Sequence, residues 1–125
     1  MEIVGIGIDI IEVKRIHEAL IKHPRIALKL FTENEMKSCQ MRANQYEELS
    51  GRYAAKEALL KAIGIGWRQG VKFNEIEIKS EPSGKPYIEA AGRVAELVNK
   101  LGAKKIFLTI THTEEQAIAE VILTR

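Results

Sequence analysis

The sequence contains a single cysteine, Cys39, among 125 residues. One cysteine cannot form a disulfide bond within its own chain, so the reducing cytoplasm is the simplest expected location. A disulfide framework is also unnecessary, because 46% of the residues are hydrophobic and can form an ordinary buried core. The length fits one domain spanning residues 1–125 and leaves little room for a second.

Long apolar runs, a targeting segment and a strong net charge are missing as well. No apolar run approaches the roughly 20 residues that a membrane-spanning helix needs. The N-terminal segment MEIVGIGIDI is apolar but carries Glu2 and Asp9 and has no basic leader, so we expect no signal peptide. A net charge of +2 is too small to indicate nucleic-acid binding. We therefore expect neither a membrane nor a nucleic acid as a partner.

Residue periodicity predicts strands at both ends of the chain with helices between them. Alternating patterns predict strands over residues 3–10, 73–79, 105–112 and 116–123. Helical spacing predicts helices over residues 12–24, 46–63 and 90–101. A short helix is expected from Glu33, because Thr32 and Glu35 form a T-x-x-E capping box. This order indicates an α+β fold with a largely antiparallel sheet and one long central helix.

Asp9 is the first residue whose type is unusual for its position. It lies near the end of the apolar stretch IVGIGIDII, where a buried carboxylate without a partner would be strongly destabilising. Two explanations stay open from the sequence. Asp9 either caps the helix that follows or acts as a ligand for a cation, and both roles suit a strand-to-helix junction.

Glu57 lies at the border of the apolar face of the long predicted helix. Lys61 follows four residues later, so a surface ion pair is one explanation. The other is a metal site shared with Asp9, because magnesium is typically held by one or two carboxylates, water and substrate phosphate oxygens. The basic residues Arg52, Lys56 and Lys61 of the same helix could then neutralise the phosphates of a ligand.

Three further features are candidates for binding. His112 ends a predicted strand with an apolar face, where it is either a core residue or a phosphate contact or base. Residues 13–31 carry five basic residues against the single acidic residue Glu18, as a solvated helix face or a docking surface for an acidic partner. The predicted glycine-rich loop IGWRQG, residues 65–70, has neither P-loop nor dinucleotide-binding order.

Six segments together resemble the holo-[acyl-carrier-protein] synthases, the short bacterial type of the 4′-phosphopantetheinyl transferase superfamily. They are GIGIDIIEVKRI, FTENE, GRYAAKEALLKAIGIG, FNEIEI, GKPYI and THTEEQAIAEV, and they run in order over nearly the whole chain. A G-x-D motif near the N-terminus is weak alone. Its pairing with K-E-A-x-x-K later in the chain is specific.

The resemblance implies the fold of these transferases and a magnesium-dependent reaction in fatty acid biosynthesis. The 4′-phosphopantetheine group passes from coenzyme A to a serine of an acyl carrier protein, and 3′,5′-ADP leaves. Asp9 and Glu57 match the family's magnesium ligands. The serine needs a base, and Asp9 or a metal-bound water could serve. Members of this short type form homotrimers that bind coenzyme A between subunits.

The resemblance also implies further contacts. Lys61 matches a lysine that contacts coenzyme A phosphate, and Arg15 matches an arginine that meets acidic residues of the carrier. Lys22 and Arg25 are expected to extend that docking surface. The segments that the family places around the nucleotide contain Arg52, Gly84, Lys85, Pro86 and His112.

Two other classes of function remain possible from the residues alone. A magnesium-dependent phosphodiesterase or nuclease could use the same two carboxylates without any carrier protein. A non-enzymatic trimeric binding module would use them only for capping and pairing.

Overall fold

The structure is a computed structural model that describes residues 1–65 and 70–125. Residues 66–69 of the predicted glycine-rich loop, Trp67 among them, lie outside the described residues. The elements in chain order are β1 (Ile3–Glu12), α1 (Val13–Lys22), α2 (Ile26–Leu30), α3 (Glu33–Cys39), α4 (Gln45–Ile63), a 3-10 turn (Phe73–Glu75), β2 (Ile76–Ser80), β3 (Pro86–Ala90), α5 (Gly92–Lys100), β4 (Lys105–His112) and β5 (Gln116–Thr124).

The α+β class and the antiparallel pairing are confirmed, but the described strands form two sheets rather than one. The larger sheet has the order β1-β5-β4, and β2 pairs with β3 in a separate hairpin. In the larger sheet Asp9 lies opposite Ala119 and His112 lies opposite Ala117. Both alanines are buried. Directly opposite residues share a face of a sheet, so Asp9 and His112 belong to the inner face.

Helix α4 is the long central helix that the periodicity predicts. It ends at Gly64, whose left-handed conformation (φ 88°) lets its N–H bond the carbonyl oxygens of Leu60 and Lys61. The helix packs against β1, β4 and β5. Among the described residues, no helix combines the length and the apolar character that crossing a bilayer requires.

Strand β1 lies directly on α4 because two of its inward-facing residues have no side chains. A Cβ atom would lie 2.1 Å from the Ala62 carbonyl oxygen at Gly5 and 2.0 Å from the Ala58 carbonyl oxygen at Gly7. No side chain fits at such distances without moving the strand or the helix. Asp9 is the next residue on the same face of the strand, so the glycine contacts bring its carboxylate close to α4.

The shorter predicted elements are confirmed with shifted boundaries. Thr32 and Glu35 form the reciprocal capping box at the start of α3. The predicted strand over residues 73–79 begins with a 3-10 turn and is regular only as β2. The predicted helix over residues 90–101 is shorter because residues up to Ala90 form β3, a strand that the turn-rich sequence around Pro86 did not indicate.

The outer face of the larger sheet is apolar and exposed. Ile6, Ile8 and Ile10 of β1 are 61%, 56% and 55% exposed, and Phe107 of β4 is 42% exposed. Consecutive strand residues point to opposite faces, so the glycines and Asp9 face α4 while these isoleucines face away from it. A monomer therefore leaves several large apolar side chains in water on this face, interrupted by Glu120 and Thr109, which lie in register with Ile8. Such a surface is typical of proteins with a partner there.

Candidate active site

Asp9 and Glu57 come together where β1 faces α4. The side chain of Glu57 is half-buried, and this burial raises the pKa of its carboxyl group. The Tyr53 hydroxyl and Lys61 oppose the increase, whereas the negative charge of Asp9 adds to it. The two carboxylates thus interact electrostatically although they lie far apart in the chain.

Lys61 of α4 forms hydrogen bonds to β1 at this point. Its Nζ donates to Oδ1 of Asp9 and to the carbonyl oxygen of Ile8, both at 3.0 Å. The Asp9 side chain is only 15% exposed, whereas that of Lys61 is 53% exposed. The interpretation of Asp9 as a helix cap is wrong, because β1 continues to Glu12 and Glu12 occupies the N-cap position.

The Glu57 carboxylate has a different partner from the one that an i,i+4 surface pair would supply. The Tyr53 hydroxyl, one turn earlier on α4, donates to Oε1 of Glu57 at 3.1 Å. The helical periodicity assigns Tyr53 only to the apolar face of the helix. The Tyr–Glu spacing of four residues is the signal that could have indicated the contact.

The pair of carboxylates fits a hard divalent cation. Carboxylate oxygens are the protein ligands that magnesium prefers, and one or two are usual when a substrate phosphate also binds. In residues 1–65 and 70–125, no group of three or more His, Cys, Asp or Glu side chains converges. The described donor set would therefore need water or substrate oxygens to complete an octahedral shell.

Arg52 lines two cavities, and neither of them is lined by Asp9, Glu57 or Lys61. The smaller, of about 170 Å³, is lined in part by Arg52, Gly84, Pro86 and His112, which are four of the predicted nucleotide contacts. Arg52 is 7% exposed and its Nη1 pairs with Glu48 at 3.1 Å. Its Nε is buried without a hydrogen-bond partner. A buried donor with no acceptor is costly, so this one points to a ligand atom.

The larger cavity, of about 500 Å³, lies on the other side of Arg52 and is rich in cations. Lys37, Arg42 and Lys79 line it together with Arg52. Lys85, the fifth predicted nucleotide contact, is exposed in the turn between β2 and β3 and lines neither cavity. The region as a whole presents positive charge, as a phosphorylated ligand requires.

His112 is exposed, so its interpretation as a core residue is wrong. It lies at the end of β4 and lines the smaller cavity with Arg52. The side chains of Ile106, Leu108 and Ile110 on the same strand do pack against the core. The alternating pattern therefore predicts the inner face of β4 correctly. It does not show that His112, the last residue of the strand, lies beyond the core.

Lys56 contradicts the prediction that it neutralises ligand phosphates. It is fully buried, and its Nζ donates to Oε1 of Glu35 at 2.6 Å. The same Nζ also donates to the carbonyl oxygens of Leu30 and Phe73 at 2.7 and 3.2 Å. These bonds use all three donors of an ammonium group, so none remains for a ligand.

The three basic residues predicted to meet a carrier protein lie on and just after α1. Arg15, Lys22 and Arg25 are all exposed. Two large apolar side chains of the same region are also exposed, Ile21 at 62% and Leu28 at 73%. The surface thus combines positive charge with apolar area, which suits an acidic amphipathic partner.

Comparison with known proteins identifies the family of this chain. Residues 5–120 match the 4′-phosphopantetheinyl transferase superfamily. The holo-[acyl-carrier-protein] synthase of Koribacter versatilis is 41% identical over 122 residues, which cover 97% of this chain and 98% of that protein. The holo-[acyl-carrier-protein] synthase of Shouchella clausii is 45% identical over 123 residues, 97% of each chain.

Solved structures of holo-[acyl-carrier-protein] synthases have the same fold as this chain. The holo-[acyl-carrier-protein] synthase of Neisseria meningitidis has a TM-score of 0.88 at 30% identity, covering 98% of this chain and 99% of that one. The Bacillus anthracis enzyme, solved in complex with CoA (3′,5′-ADP), has a TM-score of 0.81 at 36% identity, covering 98% and 97%. The chain belongs to the 4′-phosphopantetheinyl transferase superfamily and, within it, to the holo-[acyl-carrier-protein] synthases.

Proposed function

We propose that this protein transfers the 4′-phosphopantetheine group of coenzyme A to a serine of apo acyl carrier protein and so supports fatty acid biosynthesis. The observation that supports this most is the meeting of Asp9 and Glu57 between β1 and α4, in a chain of this family. Two carboxylates with the cation Lys61 beside them suit binding of a metal–pyrophosphate group.

Asp9 and Glu57 would hold magnesium in this site. When bound, magnesium offsets negative charge on the pyrophosphate and helps to orient it for attack. Lys61 bonds Asp9 now, and its exposure of 53% leaves it able to turn towards a phosphate. The lysine and the metal ion would then both offset the charge of the substrate.

The nucleotide end of coenzyme A is assigned to the region around Arg52. The unpartnered Nε of this buried arginine can donate to a phosphate oxygen. His112 faces the same cavity from β4, and the turn that carries Gly84, Lys85 and Pro86 borders it. The complex of the similar Bacillus anthracis enzyme with CoA (3′,5′-ADP) supports a nucleotide site in this fold.

In the reaction, the carrier serine oxygen forms a bond to the β-phosphorus of coenzyme A. The bond from this phosphorus to the bridging oxygen breaks, and 3′,5′-ADP leaves with that oxygen. The serine proton needs an acceptor, since a neutral hydroxyl is a weak nucleophile. Asp9 can accept it through the carboxylate oxygen that Lys61 does not bond. His112 is a second candidate base, and it lines the cavity at Arg52 rather than the Asp9–Glu57 pair.

The carrier protein is proposed to dock on α1 and the residues that follow it. Arg15, Lys22 and Arg25 supply positive charge for an acidic carrier, and Ile21 and Leu28 supply apolar contact. Complementary charge of this kind steers association and orients the partner. The cytoplasmic location that the single cysteine predicts stays a prediction.

A homotrimer is proposed for the assembly. The exposed apolar face of the β1-β5-β4 sheet supports an interface between copies, because such a face is unfavourable in water. The molar mass in solution, from light scattering on a sizing column, distinguishes a trimer from a monomer.

The experiment that tests the function combines the protein with magnesium, coenzyme A and an apo acyl carrier protein. Intact mass spectrometry of the carrier should show the gain of one phosphopantetheine group. Asp9→Asn and Glu57→Gln should each lower the rate by at least about 100-fold while the melting temperature stays unchanged, because they remove ligand charge without changing shape. Glu96→Gln, an exposed carboxylate on α5, is the matched control and should keep full activity.

Three results would contradict the proposal or its metal assignment. Consumption of coenzyme A at the same rate without carrier would favour a phosphodiesterase. A carrier whose mass does not change, although a known synthase modifies it, would leave only a binding role. A wild-type rate in Asp9→Asn or Glu57→Gln at low magnesium would show that this carboxylate is not a metal ligand.

A further inference from the structure

Tyr53 is the polar group next to Glu57 for which the proposed reaction has no role. Its hydroxyl donates to Oε1 of Glu57 at 3.1 Å, from one turn earlier on α4. The ring is fixed by an edge-on contact with Phe73, with 5.3 Å between the ring centroids and 89° between the planes. Phe73 is 3% exposed, so a buried core residue holds the ring in place.

This contact has a consequence for the two oxygens of Glu57. A glutamate side chain has three rotatable bonds, and at a half-buried position several orientations compete. The Tyr53 hydroxyl engages Oε1 and leaves Oε2 for another partner. Partners that orient a ligating carboxylate commonly change metal affinity by about 10- to 100-fold when they are removed.

Burial and the charged groups around the Tyr53 hydroxyl affect its pKa. Burial raises the pKa of Tyr53 most, the Glu57 carboxylate raises it further, and Asp9 of β1 adds to the effect, while Arg15 of α1 opposes it. A tyrosine phenol is ordinarily protonated in neutral solution, and here its hydroxyl donates to Oε1 of Glu57. It acts as a hydrogen-bond donor and not as the base for the carrier serine.

We propose that Tyr53 is a positioning residue whose hydroxyl holds the Glu57 carboxylate with one oxygen directed to the divalent cation shared with Asp9. This rests on the proposed function in one respect only, the binding of that cation by Asp9 and Glu57. The packing of Tyr53 against Phe73 lets the core fix the orientation of a group in the site.

The test compares Tyr53→Phe with the wild-type protein in the presence of coenzyme A and the absence of carrier, so that no turnover occurs. Manganese is the probe, and its binding is followed by electron paramagnetic resonance. The variant keeps the ring and its contact with Phe73 and loses only the hydroxyl. We expect its dissociation constant for manganese to rise about tenfold while its melting temperature stays within a few degrees of wild type.

Transfer kinetics provide a second readout. The magnesium concentration for half-maximal rate should rise about tenfold in Tyr53→Phe, whereas kcat at saturating magnesium should fall much less. Tyr46→Phe is the matched control: it lies on the same helix, and its ring stacks on His17 at 3.9 Å, away from Glu57. This control should leave manganese affinity and magnesium dependence unchanged.

The outcomes separate the two proposals. Manganese binding that Glu57→Gln weakens but Tyr53→Phe leaves unchanged would overturn the role of Tyr53 and keep the metal site. Binding that Glu57→Gln does not weaken would overturn the metal assignment, and the Tyr53 proposal with it. A fall in kcat at unchanged metal affinity would also overturn the proposal, because it would place the hydroxyl on the substrate.

Discussion

Helix α4 carries two lysines that each pair with a carboxylate from another element, yet the two pairs differ in almost every physical respect. Lys56 meets Glu35 of α3 at 2.6 Å, and both side chains are completely buried. Lys61 meets Asp9 of β1 at 3.0 Å, with side-chain exposures of 53% and 15%. The first pair lies within the core, and the second lies at the candidate active site.

The buried pair has all its hydrogen-bonding groups engaged. Besides Lys56, the Glu35 carboxylate accepts from the backbone N–H groups of Thr32 and Ile78. Burial lowers the pKa of Lys56, and the Glu35 carboxylate opposes that effect. Through these bonds the pair ties α3, α4 and β2 together, so it supports the helix turn that also carries Glu57.

The pair at the site is different because its members can exchange partners. Lys61 can leave Asp9 for a phosphate without leaving an uncompensated charge in the core, since water reaches its ammonium group. The comparison teaches that residue type does not separate a structural lysine from a functional one. Solvent access and unused bonding capacity do.

The largest expected effect comes from removing the lysine of the buried pair. Lys56→Met should lower the free energy of unfolding by roughly 3–5 kcal/mol, because it leaves the Glu35 carboxylate buried without its cation. Lys61→Met, the matched control, should change it by less than about 1 kcal/mol, since an exposed pair contributes little. Urea denaturation followed by circular dichroism measures both.

The order of the two lysine variants should reverse when the transfer rate is compared instead of the free energy of unfolding. Lys61→Met should lose most of the transfer rate at low coenzyme A concentration while remaining folded. Equal losses of stability in the two variants would show that burial does not distinguish the pairs. Full activity in Lys61→Met would remove that lysine from the site.

A smaller effect is expected where β1 contacts α4. Gly7→Ala should cost about 1–3 kcal/mol of stability, because the new methyl group meets the Ala58 carbonyl oxygen and the strand has to shift. The shift moves Asp9 and leaves the Glu35–Lys56 pair in place. Activity should therefore fall further than stability alone explains, as transfer assays below the melting temperature would show.

Gly51→Ala provides the control for this prediction. Its new methyl group would meet a side-chain atom, Cγ2 of Ile110, at 2.8 Å, and a side chain can move more easily than backbone. The helical alanine also gains up to about 1 kcal/mol of propensity. If Gly51→Ala proves more destabilising than Gly7→Ala, the close packing of β1 on α4 does not position Asp9 as argued.

Much of this arrangement could be predicted from local sequence. The α+β class, the limits of α4 and the capping box of α3 follow from patterns within a few residues of each other. The proposal that Asp9 and Glu57 share an ion came from their residue types and from the resemblance to a family. The glycines that bring β1 onto α4 precede Asp9 in the same motif.

The roles that sequence analysis missed depend on contacts between distant segments. Lys56 and Lys61 look alike on a helical wheel, and only Glu35 from α3 makes Lys56 a core residue. The four-residue spacing of Tyr53 and Glu57 permits their contact, but the packing of the Tyr53 ring on Phe73 depends on a distant segment. Strand β3 was missed because its pairing with β2, rather than its own composition, makes it a strand.

The smallest expected effect concerns Ser50, a buried polar residue of α4 that, unlike the Glu35–Lys56 pair, has no hydrogen-bond partner for its side chain. Its Oγ is buried without a hydrogen-bond partner, and such a hydroxyl is destabilising where it lies. Ser50→Ala should therefore raise the free energy of unfolding by about 1 kcal/mol, helped by the higher helix propensity of alanine. Ser38→Ala is the control, because that exposed hydroxyl already donates to the Asn34 carbonyl oxygen at 2.9 Å. If Ser50→Ala instead destabilises the protein, its hydroxyl has an acceptor.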